Sequence, residues 1–270
     1  MTVHEFQKCF THSKPLIGMV HLPALPGHPN AKLSLKNIIH QALNDVKTLE
    51  KAGFNGLLIE NYGDVPFLPD DVGPETIAAM TVIVHSIQNK TQLPIGINVL
   101  RNDAKAAMAI ATITESVFIR VNVHVGVVAT DQGLIQGNAF ETLRYRAQLG
   151  SKVHIFADVM VKHGMSLDRE DIGQAATDGV HRGLADGIIV TGSATGKDTS
   201  CEDLQIVRKH LQDTPVIAGS GVNRKNVSAL LPVCDGMVIG TSIKMNDKTE
   251  SAVDLEKAKE LRKMRDQFLS

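Results

Sequence analysis

Apolar runs of six to eight residues, rich in Val and Ile, recur along the whole chain. They alternate with longer segments in which apolar positions return every three or four residues. Eight such runs occupy 16–21, 56–61, 94–100, 116–123, 153–159, 187–192, 215–221 and 236–242, with starts 21 to 40 residues apart. That spacing suits a strand followed by a crossover helix, the connection that lets the next strand lie parallel to the last. Between the runs, Leu35, Ile38, Ile39, Ala42 and Val46 fall on one helical stripe before a stop at Lys51-Ala52-Gly53, and Ile77, Met80, Val84 and Ile87 fall on another. Leu261, Met264 and Phe268 predict a final amphipathic helix within 251–270, and Thr199 with Glu202 predicts a capping box for the helix after the sixth run. No linker or composition break interrupts the series. The pattern predicts an α/β chain folded as a single (β/α)8 TIM barrel over 1–270, with 1–14 as an N-terminal extension. An open doubly wound sheet would carry GxGxxG after its first strand, and that motif is absent.

The connections are unequal. Segments 21–33, 62–73, 124–137 and 193–198 follow strands, whereas the shorter 52–55, 149–151 and 231–235 lead into them. In a barrel the segments after strands gather at the C-terminal face, so that face is the expected working surface.

Composition narrows the partners. The 270 residues carry 28 Lys plus Arg against 29 Asp plus Glu, and only 4% are aromatic, with no Trp. Neither a basic field nor stacking material for nucleic acid is present, which leaves a small molecule as the expected partner. Cys9, Cys201 and Cys234 are odd in number and far apart, as suits a reducing compartment. Residues 1–14 have no targeting pattern and no apolar run reaches the roughly 18 residues of a membrane span, so a cytoplasmic protein without membrane insertion is expected. A homo-oligomer stays open.

The last two strands end in Gly219-Ser220-Gly221 and Gly240-Thr241-Ser242, and the sixth in Gly192. Such small residues let backbone N–H groups approach a tetrahedral anion, at the positions where barrels commonly hold phosphate. Alternation places Arg120, Asn122 and His124 on one face of the fourth run and His154, Phe156 and Asp158 on one face of the fifth. His21, Glu60 or Asn61, and Asn98 close the first three. Several polar groups converging on one rim point to chemistry. Asp158 and Glu60 are candidate acid/base carboxylates, and His21 and His124 are candidates for proton transfer or metal ligation. His154 reads more simply as a satisfied core residue. Arg101 and Lys162 suit anion pairing, as does Lys244. No cofactor motif is present; a divalent metal stays open, although no HExxH-like spacing supports one. Gly192 to Asp198 is not a Walker A loop, because three residues instead of four separate its glycines and Asp198 follows Lys197.

Several segments together resemble the BtpA/SgcQ family. They are Pro15-Leu-Ile-Gly-Met-Val-His-Leu-Pro-Ala-Leu-Pro-Gly27, Glu60-Asn-Tyr-Gly-Asp-Val-Pro-Phe67, Asn98-Val-Leu-Arg-Asn-Asp103, Asp131-Gln-Gly133 and Phe156-Ala-Asp-Val-Met-Val-Lys-His163, continuing through Thr191-Gly-Ser-Ala-Thr-Gly196, Gly219-Ser-Gly-Val222 and Gly240-Thr-Ser242. The resemblance implies a barrel and singles out His21, Glu60, Asn98, Asn122, Asp158 and Lys162 among its motif positions. The family takes one name from photosystem I biogenesis. Other members carry a nucleoside triphosphatase label, which no motif here supports, or lie among sugar-uptake genes. The expected function is an enzyme acting on a phosphorylated small molecule, a sugar phosphate or nucleoside phosphate, by acid/base isomerisation, lyase chemistry or glycosidic cleavage. The alternative is a non-catalytic assembly, biogenesis or regulatory factor.

Overall fold

A computed structural model of the chain describes residues 1–161, 163–167, 171–192 and 199–270. In chain order its strands are β1 (Leu16–His21), β2 (Gly56–Glu60), β3 (Ile95–Asn98), β4 (Phe118–Val121), β5 (Val127–Thr130), β6 (Gly133–Gln136), β7 (His154–Val159), β8 (Gly164–Ser166), β9 (Gly187–Val190), β10 (Val216–Ala218) and β11 (Gly236–Ile239). Its α-helices are α1 (Val3–Phe10), α2 (Leu35–Ala52), α3 (Pro74–Gln88), α4 (Ala104–Ile113), α5 (Ala139–Gln148), α6 (Ile172–His181), α7 (Cys201–His210), α8 (Val227–Leu230) and α9 (Leu255–Leu269). Eight strands close a parallel barrel in the order β1, β11, β10, β9, β7, β4, β3, β2. These are the eight predicted runs.

Alternation divides each strand between two cores. Ile17, Met19, Leu58, Phe118, Phe156, Ile189, Ile217 and Val238 fill the barrel, while Leu57, Ile59, Ile119, Val121, Ile155 and Ala157 belong to the layer shared with the helices. Six of the eight predicted runs extend one to three residues past the C-terminal ends of the observed strands. The surplus, including Asn61, Asn122, Thr191, Gly219 to Gly221 and Gly240 to Ser242, leaves the ladder and builds the C-terminal mouth.

Residues 1–14, predicted as an extension, contain α1. Thr2 and Glu5 cap it reciprocally: the Glu5 amide donates to Thr2 Oγ1 (3.2 Å) and the Thr2 amide to Glu5 Oε2 (2.7 Å). One turn apart, Phe6 and Phe10 are driven into the barrel floor. Phe6 packs edge-on to Phe156 (5.7 Å between ring centres) and Phe10 edge-on to Phe118 (5.8 Å).

The connections after the fourth and fifth barrel strands pair with each other. β5 lies antiparallel between β6 and β8, and its Val128 packs inward with Ile135, Val123 and Val161. The opposite face aligns Leu134, Ala129 and Met165, leaving Leu134 61% and Met165 66% exposed.

Two local expectations need correction. Ser200 caps α7, accepting the Asp203 amide at 3.1 Å, because the Thr199 hydroxyl is committed to the Ser220 carbonyl across the mouth. In α9, Leu261 and Met264 pack as predicted, but Phe268, near the chain end, is 43% exposed. Arg265, one turn beyond Leu261, is the buried residue, and its Nη1 donates to Asn55 Oδ1 (2.7 Å). Among the described residues no helix is long and apolar enough to cross a membrane.

Candidate functional site

The strand register sets which polar side chains share a level at the mouth. His21 lies opposite Glu60, and Glu60 opposite Asn98. All three have the parity of the barrel-filling residues below them, so they point into the same space. His21 Nε2 stands 3.9 Å from Glu60 Oε1, and the imidazole meets Tyr62 edge-on at 5.0 Å between ring centres.

Across the barrel, Arg120 and Asp158 form a buried bidentate pair. Arg120 Nε donates to Asp158 Oδ1 and Nη2 to Oδ2, both at 2.9 Å. Asn122 Nδ2 adds a third bond to Oδ2 (3.0 Å), while Asn98 Nδ2 holds Asn122 Oδ1 (3.0 Å) and the Arg120 carbonyl (3.1 Å). Burial alone pulls the guanidinium pKa down. The charge and hydrogen bonds of Asp158, with Glu60 beyond, outweigh that and carry it above its ordinary value. Both Asp158 oxygens are thus engaged, and its geometry is that of a group orienting Arg120. Asn98 Oδ1 is buried with no donor among the described residues.

The facing wall is glycine-rich. A cavity of 290 Å³ is lined by Gly219, Ser220, Gly221, Gly240, Thr241 and Ser242 on one side and by His21, Glu60, Tyr62 and Arg120 on the other. A Cβ on Gly219 would lie 2.0 Å from Ile189 Cγ2, and one on Gly240 would lie 3.0 Å from His21 Cε1, so these strand ends approach their neighbours as only glycine can. The hydroxyls around them fasten the loops. Ser220 Oγ accepts the Gly192 amide (2.7 Å), Thr241 Oγ1 pairs with Thr249 Oγ1 (2.8 Å), and Ser242 Oγ donates to the Val222 carbonyl (2.5 Å).

A second cavity, of 500 Å³, adjoins the first through Glu60, Tyr62 and Arg120 and runs under the tip of the β5–β6 hairpin. Arg101 lines it together with Asn122, and burial lowers the Arg101 pKa, opposed by the charge of Asp158.

The structure brings His21, Glu60, Asn98, Asn122, Asp158, Arg101 and the glycine ends to one mouth. His124 stands apart: beyond the end of β4 it turns outward, with Nε2 2.8 Å from the Gly183 carbonyl, and burial lowers its pKa. His154 sits at the start of β7, with Nδ1 3.7 Å from Asp186. Lys244 is buried against Asp45 (2.6 Å), a carboxylate pairing. Lys162 and residues 193–198 lie outside the described residues. No three His, Cys, Asp or Glu among the described residues gather as a metal would require.

Alternation alone places Arg120 beside Asn122 and His124 without a role and does not reach Tyr62 or Gln132. Arg120 was signalled by its strand-interior position, where an unpaired charge is untenable. Tyr62 and Gln132 sit on connections, where alternation gives no direction. Asn61 and Asn102 fasten loops: Asn61 Oδ1 accepts the Leu100 amide (2.7 Å), and Asn102 Oδ1 accepts the Val123 amide (2.8 Å).

Comparison with solved structures bears on the fold. The chain is similar to Mycobacterium tuberculosis tryptophan synthase (TM-score 0.62, 14% identity, 97% of this chain and 96% of that one). It is also similar to thiamine phosphate pyrophosphorylase from Pyrococcus furiosus (TM-score 0.59, 12%, 96% and 98%) and to N-acetylmannosamine-6-phosphate 2-epimerase from Clostridium perfringens (0.54, 14%, 87% and 90%). In sequence it is 45% identical over 249 residues to the photosystem I biogenesis protein BtpA of Synechocystis, covering 92% of this chain and 86% of that one. It is likewise 45% identical over 248 residues to an uncharacterised protein of Methanocaldococcus jannaschii, covering 92% and 94%. The BtpA family model matches residues 12–267, and the chain belongs to the BtpA family.

Proposed function

We propose that this BtpA-family barrel is an enzyme acting on a phosphorylated small molecule, a sugar phosphate or nucleoside phosphate, by acid/base chemistry. One observation carries the reading: a single cavity has glycine-rich strand ends on one wall and His21, Glu60 and Arg120 on the other. A phosphate held at Gly219 to Gly221 and Gly240 to Ser242 is remote from the reacting carbon, so its binding energy positions that carbon against the polar wall. There one of Glu60 and His21, 3.9 Å apart, takes a proton from the substrate and the other gives one back, and Arg120 faces the charge that develops on the substrate between the two transfers. Asp158 acts through Arg120 by fixing its plane. Barrel neighbours named for phosphorylated compounds, such as the 2-epimerase, support the reading by analogy of fold.

Specific binding raises stability by RT ln(1 + [L]/Kd), about 2.7 kcal/mol at a hundredfold excess over Kd. A thermal-shift panel therefore tests the reading: phosphorylated sugars and nucleotides raise Tm while their dephosphorylated counterparts do not, and a uniformly flat response counts against it.

A second reading, an assembly or biogenesis factor, is favoured by the name of the Synechocystis relative and by the exposed Leu134 and Met165 face. A factor of that kind needs the apolar face and is indifferent to the mouth. The polar lining of the two adjoining cavities, with His21, Glu60 and Arg120 in it, favours the enzyme.

A further inference from the structure

The second cavity is larger than the first, 500 Å³ against 290 Å³, and the two meet at Glu60, Tyr62 and Arg120. Its walls differ in kind. Val65, Phe67 and Leu100 are apolar, and Val65 is left 49% exposed. A phosphorylated sugar by itself is of a size to fill the first cavity, at the small end of the roughly 300–1,000 Å³ that ligand sites occupy, and it offers no apolar face for the second.

The hairpin tip supplies an edge for recognition. Gln132 and Asp131 line this cavity, and Gln132 Nε2 donates to Asp131 Oδ2 (2.5 Å). That bond turns the amide so that its oxygen is the group left over, and Gln132 Oε1 is buried with no donor among the described residues. A buried acceptor without a donor is unfavourable, and a ligand N–H in the cavity removes the penalty. Arg101, held down in the same wall, presents a planar cation that can stack on a ring or donate to a carbonyl.

We infer that the ligand is a nucleoside 5′-monophosphate: phosphate at the glycine ends, ribose beside His21, Glu60 and Arg120, and a planar base under the hairpin between Phe67 and Arg101, giving an N–H to Gln132. The inference rests on the proposed phosphate site and narrows its substrate class. A base is flat, so it shields the apolar walls, and its edge is polar, so it answers Gln132 and Asp131. A carbohydrate in the same place would satisfy the polar tip at the expense of its own hydration against Phe67 and Val65.

The test is calorimetric titration of the full chain with ribose 5-phosphate and with the 5′-monophosphates of adenosine, guanosine, cytidine and uridine, repeated on Phe67→Ala and Gln132→Ala. At least one nucleotide binds tenfold or more tighter than ribose 5-phosphate, and both variants erase most of that advantage while leaving ribose 5-phosphate affinity unchanged. Circular dichroism and an unaltered ribose 5-phosphate isotherm confirm that the variants are folded. If ribose 5-phosphate binds as tightly as every nucleotide, or if the nucleotide advantage survives both variants, the base subsite is overturned and the phosphate site stands. If no phosphate ester binds, both readings fall together.

Discussion

Replacing Asp158 by Asn separates two roles that a carboxylate at this position could have. The substitution preserves volume and removes one charge from a pair whose side chains are 2% exposed for Arg120 and fully buried for Asp158. Asp158 accepts three hydrogen bonds, one at Oδ1 and two at Oδ2. An amide can reproduce the two at Oδ2 only by placing its NH2 against Arg120 Nε, donor facing donor. Breaking one partner out of a buried pair costs about 3–5 kcal/mol, because the remaining charge stays buried without compensation. At the low end of the about 2–4 °C per kcal/mol found for large domains, Tm falls by about 6–10 °C. Thermal denaturation followed by circular dichroism at neutral pH reads it directly. Arg120→Met with Asp158→Leu removes both charges and recovers most of the loss, since an apolar pair of similar size is often as stable as the ion pair it replaces. In the same assay Asp158→Asn also weakens binding of ribose 5-phosphate, because Arg120 loses its orientation. A variant that melts within a degree or two of the parent, binds normally and fails only in turnover would refute this reasoning and make Asp158 the proton-transfer group itself.

Truncating the floor acts on the other end of the barrel: Phe6→Ala lowers stability by about 3–5 kcal/mol in denaturant titration while leaving ligand affinity at the mouth unchanged in the folded protein. Burial holds the His124 imidazole below its ordinary range, so as pH falls through about 6.5 the unfolded chain takes a proton that the folded chain refuses, and stability declines toward acid. His12 is lowered in the same direction, again chiefly by burial, so His124→Gln flattens the pH dependence of Tm below neutrality without abolishing it; an identical profile would mean that His124 protonates freely when folded. Gly219→Ala drives a Cβ to within 2.0 Å of Ile189 Cγ2 and costs about 1–3 kcal/mol by overpacking. Gly240→Ala meets His21 Cε1 at 3.0 Å and Met19 Cγ at 3.3 Å, side chains that can give by a few tenths of an ångström, and lowers turnover more than Tm.

The barrel was legible because its strands are covered on both sides. Stretches such as Gly56 to Ile59 and Gly236 to Ile239 are continuously apolar, a signal that survives without any partner being known. Parity then put Arg120 and Asp158 each on an inward face. Their pairing joins positions 38 residues apart, however, and depends on which strands are neighbours, so the sequence showed two polar residues where the fold makes one ion pair. Helix α1 is too short for a periodic signal, yet Thr2 and Glu5 at capping-box spacing ahead of Phe6 and Phe10 were a readable sign of it. The β5–β6 hairpin has only four residues in each arm, too few for its alternation to stand out from a loop. Its alternation around Asp131-Gln132-Gly133, with Gly133 at φ +96°, shows only once the turn is recognised. His124 failed the parity argument for a related reason: β4 ends at Val121, and past the ladder nothing maintains the alternation.

The proposed site puts phosphate at the ends of β10 and β11 and the reacting carbon between Glu60, His21 and Arg120. A crystal structure of the chain grown with ribose 5-phosphate tests that placement. Density for the phosphate is expected within hydrogen-bond distance of the backbone amides around Gly221 and Thr241, with the sugar pointing at Arg120. Phosphate density on Arg101 in the second cavity, or none in the mouth at a ligand concentration that saturates binding in solution, would contradict it.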